Sequence, residues 1–209
     1  MTTPQSDAVL ARLVRLSSQR IELDLDRLPA LLERLGAPHR RLAPVIHVAG
    51  TNGKGSVIAL AAAVLTAAGL RVQRYTSPYL LRPTEQVILS GGEIADDAFA
   101  AALMRVEDAN DGASLPVFEA MTAAAFLAFA EDPADVLLLE CGMGGGRDAT
   151  NVVADPAVSV IGPVALDHVA FLGPDIATIA AEKAGIMRPG VPVVADPEAP
   201  AAVEVVTAR

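Results

Sequence analysis

Residues 45–56 read VIHVAGTNGKGS. The first five of these residues are mainly apolar and β-branched, which is typical of a strand that is covered on both faces. The remainder is rich in glycine and contains one lysine, and a helical pattern follows. A strand that enters a helix through a glycine-rich turn is the context in which backbone amides bind phosphate. We therefore predict a phosphate-binding loop at the end of a central strand.

We expect a nucleotide to be bound by six residues that lie between the strand and the first helical turn. They are Thr51, Asn52, Gly53, Lys54, Gly55 and Ser56. Lys54 would reach the terminal phosphates, and the hydroxyl of Ser56 or Thr51 could supply a further contact. In the common P-loop a Ser or Thr follows the lysine directly, whereas Gly55 intervenes here. A chance glycine-rich turn is the alternative interpretation.

Short β-branched segments alternate with longer helical patterns around this loop. Strands are predicted at residues 44–49, 71–76, 135–140, 157–161 and 191–195, and helices at residues 55–68, 96–110, 117–130 and 175–186. This order predicts an α/β fold with a P-loop and a mostly parallel sheet that has helices on both faces. Ligands of such sheets bind beyond the carboxyl ends of the strands, where residues 50–56, 77–86 and 140–151 would lie.

The segments at the two ends of the chain define the predicted domain organisation. Residues 6–36 carry two amphipathic helical patterns, so we predict that residues 1–43 form an N-terminal helical cap on the same domain. Residues 44–209 would form the P-loop ATP-binding domain. Residues 199–209 begin a further helix and stop, and we therefore expect the sheet to be incomplete at the C-terminus.

Composition excludes several classes of function. No apolar run is long enough to span a membrane, and residues 1–7 do not resemble a signal peptide, so we expect a soluble cytoplasmic protein. Cys141 is the single cysteine, and we assign it no redox role. The net charge of −9 argues against nucleic-acid binding, whereas an anionic small molecule could still bind where positive charge is concentrated.

A carboxylate ends the strand predicted at residues 135–140. Glu140 would lie beside the phosphate loop, where its oxygens suit Mg²⁺ and the glycines after it would let a substrate approach the backbone. The alternative is a solvated glutamate at a strand end. His168 and Lys183 are ambiguous in isolation, because a lone histidine is more often structural and a helical lysine is usually solvated. The residues by themselves predict a Mg²⁺-dependent ATP user and do not identify its substrate.

Several motifs in order along the chain resemble one family. HVAGTNGKGS at residues 47–56 and TSPYL at residues 76–80 are followed by Phe118-Glu119, by ECGMGGGRDATN at residues 140–151, and by DH, LG and EKAGI at residues 167–168, 172–173 and 182–186. Together they resemble the folylpolyglutamate synthase/dihydrofolate synthase family of the Mur ligase superfamily. The resemblance extends from about residue 20 to residue 194.

This resemblance implies an ATP-dependent amide ligation. The carboxylate of dihydropteroate or of a folate would attack the γ-phosphate of ATP, and the amine of L-glutamate would capture the acyl phosphate, with ADP and phosphate released. It also implies that the catalytic residues are Lys54, His168 and a carbamylated Lys183. The Mg²⁺ ligands would be Ser77, Glu140 and His168, with carbamylated Lys183 helping to hold one ion. The residues along the folate-type substrate would be Phe118, Glu119, Arg147, Asp148, Ala149, Ser17 and Ser18.

The sequence departs from the family pattern at several positions. Arg147 is displaced by one position, Tyr79 replaces the usual histidine, and Gln86 replaces a common arginine, so positive charge is lost near an anionic substrate. Family members are considerably longer and carry a C-terminal glutamate-binding domain. We therefore expect the isolated chain to be inactive, and monomeric as its relatives are. A Mur-type ligase acting on a cell-wall precursor and a non-catalytic nucleotide-binding fragment are the alternatives.

Overall fold

A computed structural model of the chain describes residues 4–17 and 27–209. The α-helices in these ranges are α1 Gln5–Leu16, α2 Arg27–Arg34, α3 Lys54–Ala67, α4 Asp96–Asn110, α5 Val117–Glu131, α6 Val169–Leu172, α7 Ile176–Lys183 and α8 Pro200–Thr207. The strands are β1 Val45–Ala49, β2 Val72–Tyr75, β3 Val87–Leu89, β4 Gly92–Glu93, β5 Val136–Glu140, β6 Val158–Ile161 and β7 Val193–Ala195.

The strands form one sheet in the order β4-β3-β2-β5-β1-β6-β7. The pairs β2–β5, β5–β1, β1–β6 and β6–β7 are parallel, and β3 and β4 form an antiparallel hairpin at one edge. Val48 of β1 pairs with Glu140 of β5, so the two strands end at the same level. The carboxyl ends of β1, β2 and β5 therefore lie side by side, as the sequence predicted.

Helices cover both faces of the sheet because the buried strands are apolar on both sides. Leu137 and Leu139 of β5 pack in the same cluster as α4 and α5, whereas Leu138 packs in the cluster that contains Ile58 of α3. Every residue of β5 is buried, which explains its continuous apolar sequence. The predicted α/β fold, with a mostly parallel sheet and helices on both faces, is confirmed.

The two N-terminal helices pack into the larger of these clusters. Leu13 of α1 and Leu28 of α2 are fully buried there together with residues of α4 and α5. Arg12 of α1 also forms an ion pair with Glu107 of α4, with 2.6 Å between Nη2 and Oε2. The helices thus share the core of the sheet domain, and the proposed boundary at residue 43 stays a prediction.

Some elements differ from the expectation. The hairpin β3–β4 was not predicted, because strands of three and two residues are too short to show a hydrophobic period. The short helix α6 was also missed. The helix expected over residues 175–186 is α-helical only to Lys183, and a 3₁₀ turn at Ala184–Ile186 completes it. Within residues 4–17 and 27–209, none of the helices combines the length and apolar character that crossing a bilayer requires.

Candidate active site

The loop between β1 and α3 presents the N-terminus of α3 to solvent. Gly53 precedes the helix with φ of 77°, a left-handed conformation that glycine adopts without strain, and no side chain caps the helix. The first intrahelical amides have no acceptor within a helix, and Gly55 and Ser56 are exposed there. Such an N-terminus binds anions through its amides and its dipole.

Lys54 folds back over the loop that carries it. Its Nζ donates to the carbonyl oxygen of Gly50 at 3.2 Å and to that of Thr51 at 3.5 Å. The same ammonium lies 3.9 Å from Oε1 of Glu140. The loop therefore holds a largely buried positive charge at the end of β1, beside the exposed helix N-terminus.

Glu140 occupies the end of β5, next to this charge. Its Oε2 accepts a hydrogen bond from the backbone amide of Ser77 at 3.2 Å, which links the ends of β5 and β2. Burial raises the pKa of Glu140 above its ordinary value, although the Ser77 amide and Lys54 act in the opposite direction. A carboxylate that is costly to desolvate thus lies where a cation would stabilise it.

Lys183, the last residue of α7, reaches the same carbonyl as Lys54. Its Nζ donates to the oxygen of Gly50 at 3.0 Å, and the side chain is 3% exposed. Burial and then the charge of Lys54 lower its pKa to about 8. Two ammonium groups and one carboxylate therefore converge on the end of β1.

The glycine run after Glu140 packs against the C-terminal end of α7. A Cβ on Gly145 would lie 2.7 Å from the carbonyl oxygens of both Glu182 and Lys183, and a Cβ on Gly185 would lie 2.7 Å from the amide nitrogen of Gly146. The amide of Gly146 donates to the oxygen of Glu182 at 2.7 Å. At Gly145 the absence of a side chain therefore admits the end of α7, and the approach of a substrate to this glycine run stays a prediction.

Asn151 and Arg188 hold this contact together. Asn151 Nδ2 donates to the oxygens of Gly146 and Gly185, at 2.8 Å and 3.3 Å. Arg188 donates to the oxygen of Gly185 and to Oδ1 of Asn151, at 2.8 Å in each case. The end of α7, and with it the backbone of Lys183, is therefore fixed to the segment that follows Glu140.

Two predicted substrate residues, Arg147 and Asp148, make contacts within the protein. Nε of Arg147 lies 3.0 Å from Oε2 of Glu182 in an ion pair. Asp148 is buried and accepts hydrogen bonds from the amides of Met143 and Thr150, at 2.8 Å and 2.9 Å. Burial raises its pKa. Ala149, the next predicted residue, is buried as well. These contacts stabilise the loop, and the substrate roles stay predictions.

Two further predicted substrate residues, Phe118 and Glu119, belong to α5. The ring of half-buried Phe118 lies against Gly142, where a Cβ would clash with it. Glu119 is buried, and its Oε2 lies 4.0 Å from Nε of Arg27. Ser17 is half-buried just after α1. Ser18 lies outside the described residues.

In the part of the chain that the structure describes, His168 makes no polar contact with the charged groups that converge on the end of β1. It adopts φ of 48°, precedes α6, is half exposed, and its Nε2 lies 3.5 Å from Asp167 Oδ2. In the described ranges it makes no hydrogen bond or ion pair with Glu140, Ser77 or Lys183. Those ranges also hold no group of three His, Cys, Asp or Glu side chains placed for a metal ion. Only two residues of the predicted ligand set, Glu140 and His168, are of these types, and the set stays a prediction.

Two of the residues that depart from the family pattern differ in their exposure to solvent. Tyr79 is 41% exposed and begins an apolar loop tip with the exposed Leu80 and Leu81, whereas Gln86 is buried beside β3. The amides of Leu80 and Leu81 donate to the carboxylate of Glu85. The tip is therefore held open to solvent close to Ser77.

A buried polar group in β1, just before the phosphate loop, was not predicted from the sequence. His47 of β1 is fully buried, and its Nε2 lies 2.8 Å from Thr150 Oγ1 and 3.2 Å from Cys141 Sγ. Thr150 in turn donates to Asp148 at 2.6 Å. The available signal was a histidine inside an otherwise apolar strand, a position that requires a buried hydrogen-bond partner.

The sheet, the loop after β1, the carboxylate at the end of β5 and the buried lysine together define a P-loop α/β domain of the Mur-ligase type. No family model matches the chain. The chain is 42% identical to the dihydrofolate synthase/folylpolyglutamate synthase of Escherichia coli over 207 residues, which cover 96% of the chain and 48% of that enzyme. The Mycobacterium tuberculosis enzyme is also 42% identical, over 88% of the chain and 41% of that enzyme.

Solved structures agree with these relatives. E. coli FolC in complex with DHPP and ADP superposes with a TM-score of 0.90 at 39% identity, covering 99% of the chain and 50% of that protein. A bifunctional synthase with Mn, AMPPNP and L-glutamate bound gives a TM-score of 0.87 at 40% identity, over 99% of the chain and 50% of that protein. The chain is a homologue of dihydrofolate synthase/folylpolyglutamate synthase, and it spans about half the length of these relatives.

Proposed function

We propose that this chain is the nucleotide-binding and metal-binding part of an ATP-dependent ligase that joins L-glutamate to dihydropteroate or to a folylpolyglutamate. The observation that carries the proposal is the convergence of Lys54, Lys183 and Glu140 at the carboxyl end of β1. That end of an α/β sheet is where ligands bind. The relatives solved with ADP and DHPP, and with Mn, AMPPNP and L-glutamate, support the choice of ligands.

The phosphates of ATP would bind at the N-terminus of α3. The uncapped amides at Gly55 and Ser56 provide donors, and Gly53 leaves the approach open, since a Cβ there would meet no atom within 4 Å. Lys54 would exchange its carbonyl partners for phosphate oxygens and stabilise the negative charge that develops during phosphoryl transfer. Asn52 is exposed at the same turn and would lie beside the phosphates.

A magnesium ion would be held by Glu140, by the hydroxyl of Ser77 and by His168, with carbamylated Lys183 as a further oxygen donor. The buried carboxylate of Glu140 fits this role, because its raised pKa shows that burial is not fully offset by Lys54 and the Ser77 amide. The lowered pKa of Lys183 increases the fraction of neutral amine, which is the form that adds to CO₂ and loses a proton. When bound, the ion would neutralise phosphate charge.

The reaction we propose proceeds through an acyl phosphate. A substrate carboxylate attacks the γ-phosphorus of ATP, and ADP leaves; the amine of L-glutamate then attacks the acyl carbon, and phosphate leaves. The residues of this chain hold the phosphates in line and stabilise their charge, which is how most phosphoryl transfer is catalysed. Phe118 would contact the substrate with part of its ring. Asp148 and Ala149 would hold the conformation of the loop that lies beside the substrate.

An assay of ADP release tests this function. Because the relatives are about twice as long, we expect the chain alone to show no turnover with ATP, Mg²⁺, dihydropteroate and L-glutamate. Fused to the second half of the E. coli relative, it should release ADP only when glutamate is present, and Lys54→Ala should abolish that release. A fusion that folds and binds ADP but shows no glutamate-dependent release would contradict the proposal.

A monomeric state and a cytoplasmic location stay predictions from the sequence. The named relatives are folate enzymes, which favours the folate substrate over a cell-wall precursor.

A further inference from the structure

Thr51 connects the phosphate loop to the segment that follows β6. Its amide donates to the oxygen of Pro163 at 2.8 Å. Its hydroxyl donates to the oxygen of Ala165 at 3.1 Å and accepts from the amide of Ala165 at 3.1 Å. One side chain therefore satisfies both backbone groups of a residue that lies 114 positions away in the sequence.

The backbones of the two segments are also in direct contact. The amide of Gly162 donates to the oxygen of Ala49 at 2.8 Å. A Cβ on Gly50 would lie 3.3 Å from the Cα of Gly162, which is closer than most Cβ contacts, so the two segments are tightly packed. Thr51 is the side chain that extends this contact from Gly162 to Ala165.

The hydroxyl of Thr51 has no proton left for a phosphate. A hydroxyl has a single proton, and the oxygen of Ala165 accepts it. A role as a direct phosphate donor, which the loop sequence suggests, would require this bond to break.

Ala165 lies three residues before His168. Between them, Asp167 Oδ1 accepts the amide of His168 at 2.8 Å, which helps to hold the left-handed turn that precedes α6. The anchored residue Ala165 is thus separated from His168 by two residues, and the turn at His168 is supported by the side chain of Asp167.

We propose that Thr51 is a positioning residue, which fixes residues 163–168 to the phosphate loop and thereby places His168 beside a bound nucleotide. The role toward His168 rests on the proposed function, in which His168 holds the metal ion. Thr51 would then couple the metal to the nucleotide, without itself contacting a phosphate.

Hydrogen exchange of the ligand-free protein tests the connection itself. Thr51→Val keeps the shape of the side chain and removes both hydroxyl hydrogen bonds, so exchange at the amide of Ala165 should accelerate about tenfold. Thr51→Ser should retain the slow exchange. Thr66→Val, in an exposed position on α3, is the matched control and should leave Ala165 unchanged. Unchanged exchange in Thr51→Val would overturn the proposal.

Binding of ADP tests the role toward the metal. In EDTA, Thr51→Val should bind ADP within about twofold of the wild type, because no phosphate contact is lost. With Mg²⁺ present, the gain in affinity should be smaller in Thr51→Val than in the wild type, and Thr51→Ser should restore it. Equal weakening with and without Mg²⁺ would identify Thr51 as a direct phosphate ligand and overturn the proposal.

The two measurements separate this proposal from the proposed function. If the wild type binds no ADP in either condition while Thr51→Val still accelerates exchange at Ala165, the nucleotide function is wrong, and so is the role of Thr51 toward the metal. If the wild type binds ADP and exchange is unchanged, only the proposal for Thr51 fails.

Discussion

The carbonyl oxygen of Gly50 accepts hydrogen bonds from both lysines of the site. It accepts from Lys54 at 3.2 Å and from Lys183 at 3.0 Å, so two ammonium groups share one neutral acceptor. Their mutual repulsion is one of the causes that lower the pKa of Lys183, after burial. With Lys183 as a free amine, the site thus places two positive charges beside one buried carboxylate, which suits the binding of an anion.

Replacing Lys54 should therefore change Lys183. In Lys54→Met the repulsion is lost, so the pKa of Lys183 should rise from about 8, while burial still holds it below the ordinary lysine value. Lys54→Arg keeps the charge and serves as the control. NMR titration of the lysines after reductive ¹³C-methylation measures this pKa. A lower pKa for Lys183 in Lys54→Met would contradict the electrostatic account.

His47 should make the protein sensitive to mild acid. Burial lowers its pKa to about 3, whereas in the unfolded chain the pKa is about 6.5, so the unfolded state takes up the proton first. The stability that His47 contributes is complete above pH 6.5 and decreases as the pH falls toward 3. Between pH 6.5 and pH 5 this decrease should amount to about 1.5 kcal/mol.

Urea denaturation at several pH values measures that decrease. His47→Gln should flatten the slope between pH 6.5 and pH 5, and His39→Gln, at a less buried histidine, should flatten it less. A His47→Gln variant with the slope of the wild type would show that His47 is not the group that titrates.

Single residues were predictable where a local motif defines them. Lys54 lies just after one strand that the sequence predicts and Glu140 ends another, and the structure brings the two side chains within 3.9 Å. The contacts of Thr51 with Ala165 and of Arg147 with Glu182 were not predictable, because their partners lie 114 and 35 positions away. No local pattern encodes such a pairing.

At the scale of elements, the contact between the glycine run and α7 determines where Lys183 lies. Gly145 and Gly146 allow the backbone after β5 to approach the end of the helix, and Asn151 and Arg188 bond across the contact. The sequence identified the glycines but not their partner, since a run of glycines shows only that something approaches closely.

An added methyl group at this contact should destabilise the fold. Gly185→Ala places a Cβ 2.7 Å from the amide nitrogen of Gly146, and the backbone must move to accept it, at a cost of about 2 kcal/mol. Gly91→Ala, where a Cβ would meet no atom within 4 Å, is the matched control and should change little. Equal free energies of unfolding for the two variants in urea would contradict this assignment.

The hairpin β3–β4 shows why some elements cannot be predicted from the sequence. Its turn is held by a distant residue: Asp132 accepts from the amide of Ser90 at 2.7 Å and from the hydroxyl of Ser90 at 2.9 Å. Longer elements such as α4 and β5 matched their predicted ranges closely, because their apolar pattern is continuous.

On the scale of the whole molecule, one face of the sheet carries apolar side chains exposed to solvent. Leu60 and Val64 of α3 are 70% and 68% exposed, and Val194 of β7 is 62% exposed. Residues 55–70, which include most of α3, contain no charged residue. The helix packs on the sheet through Ile58 and Ala62 and leaves its opposite side uncovered.

Polar replacements on this uncovered side should leave the fold intact. The double variant with Leu60→Gln and Val64→Gln should change the free energy of unfolding by less than about 0.5 kcal/mol, because neither side chain is buried. Its tendency to associate at high concentration, followed by sedimentation velocity, should decrease. Destabilisation comparable to that of a core substitution would show that α3 packs differently.

Calorimetric titration with ADP and Mg²⁺ is the most direct test of the phosphate site. The wild-type chain should bind ADP, and Lys54→Met should weaken binding at least about tenfold, since it removes a charge-assisted hydrogen bond. Arg71→Met, at an exposed arginine paired with Asp135, should bind like the wild type. Absence of ADP binding by the wild type, or equal affinity in Lys54→Met, would contradict the assignment of the loop after β1.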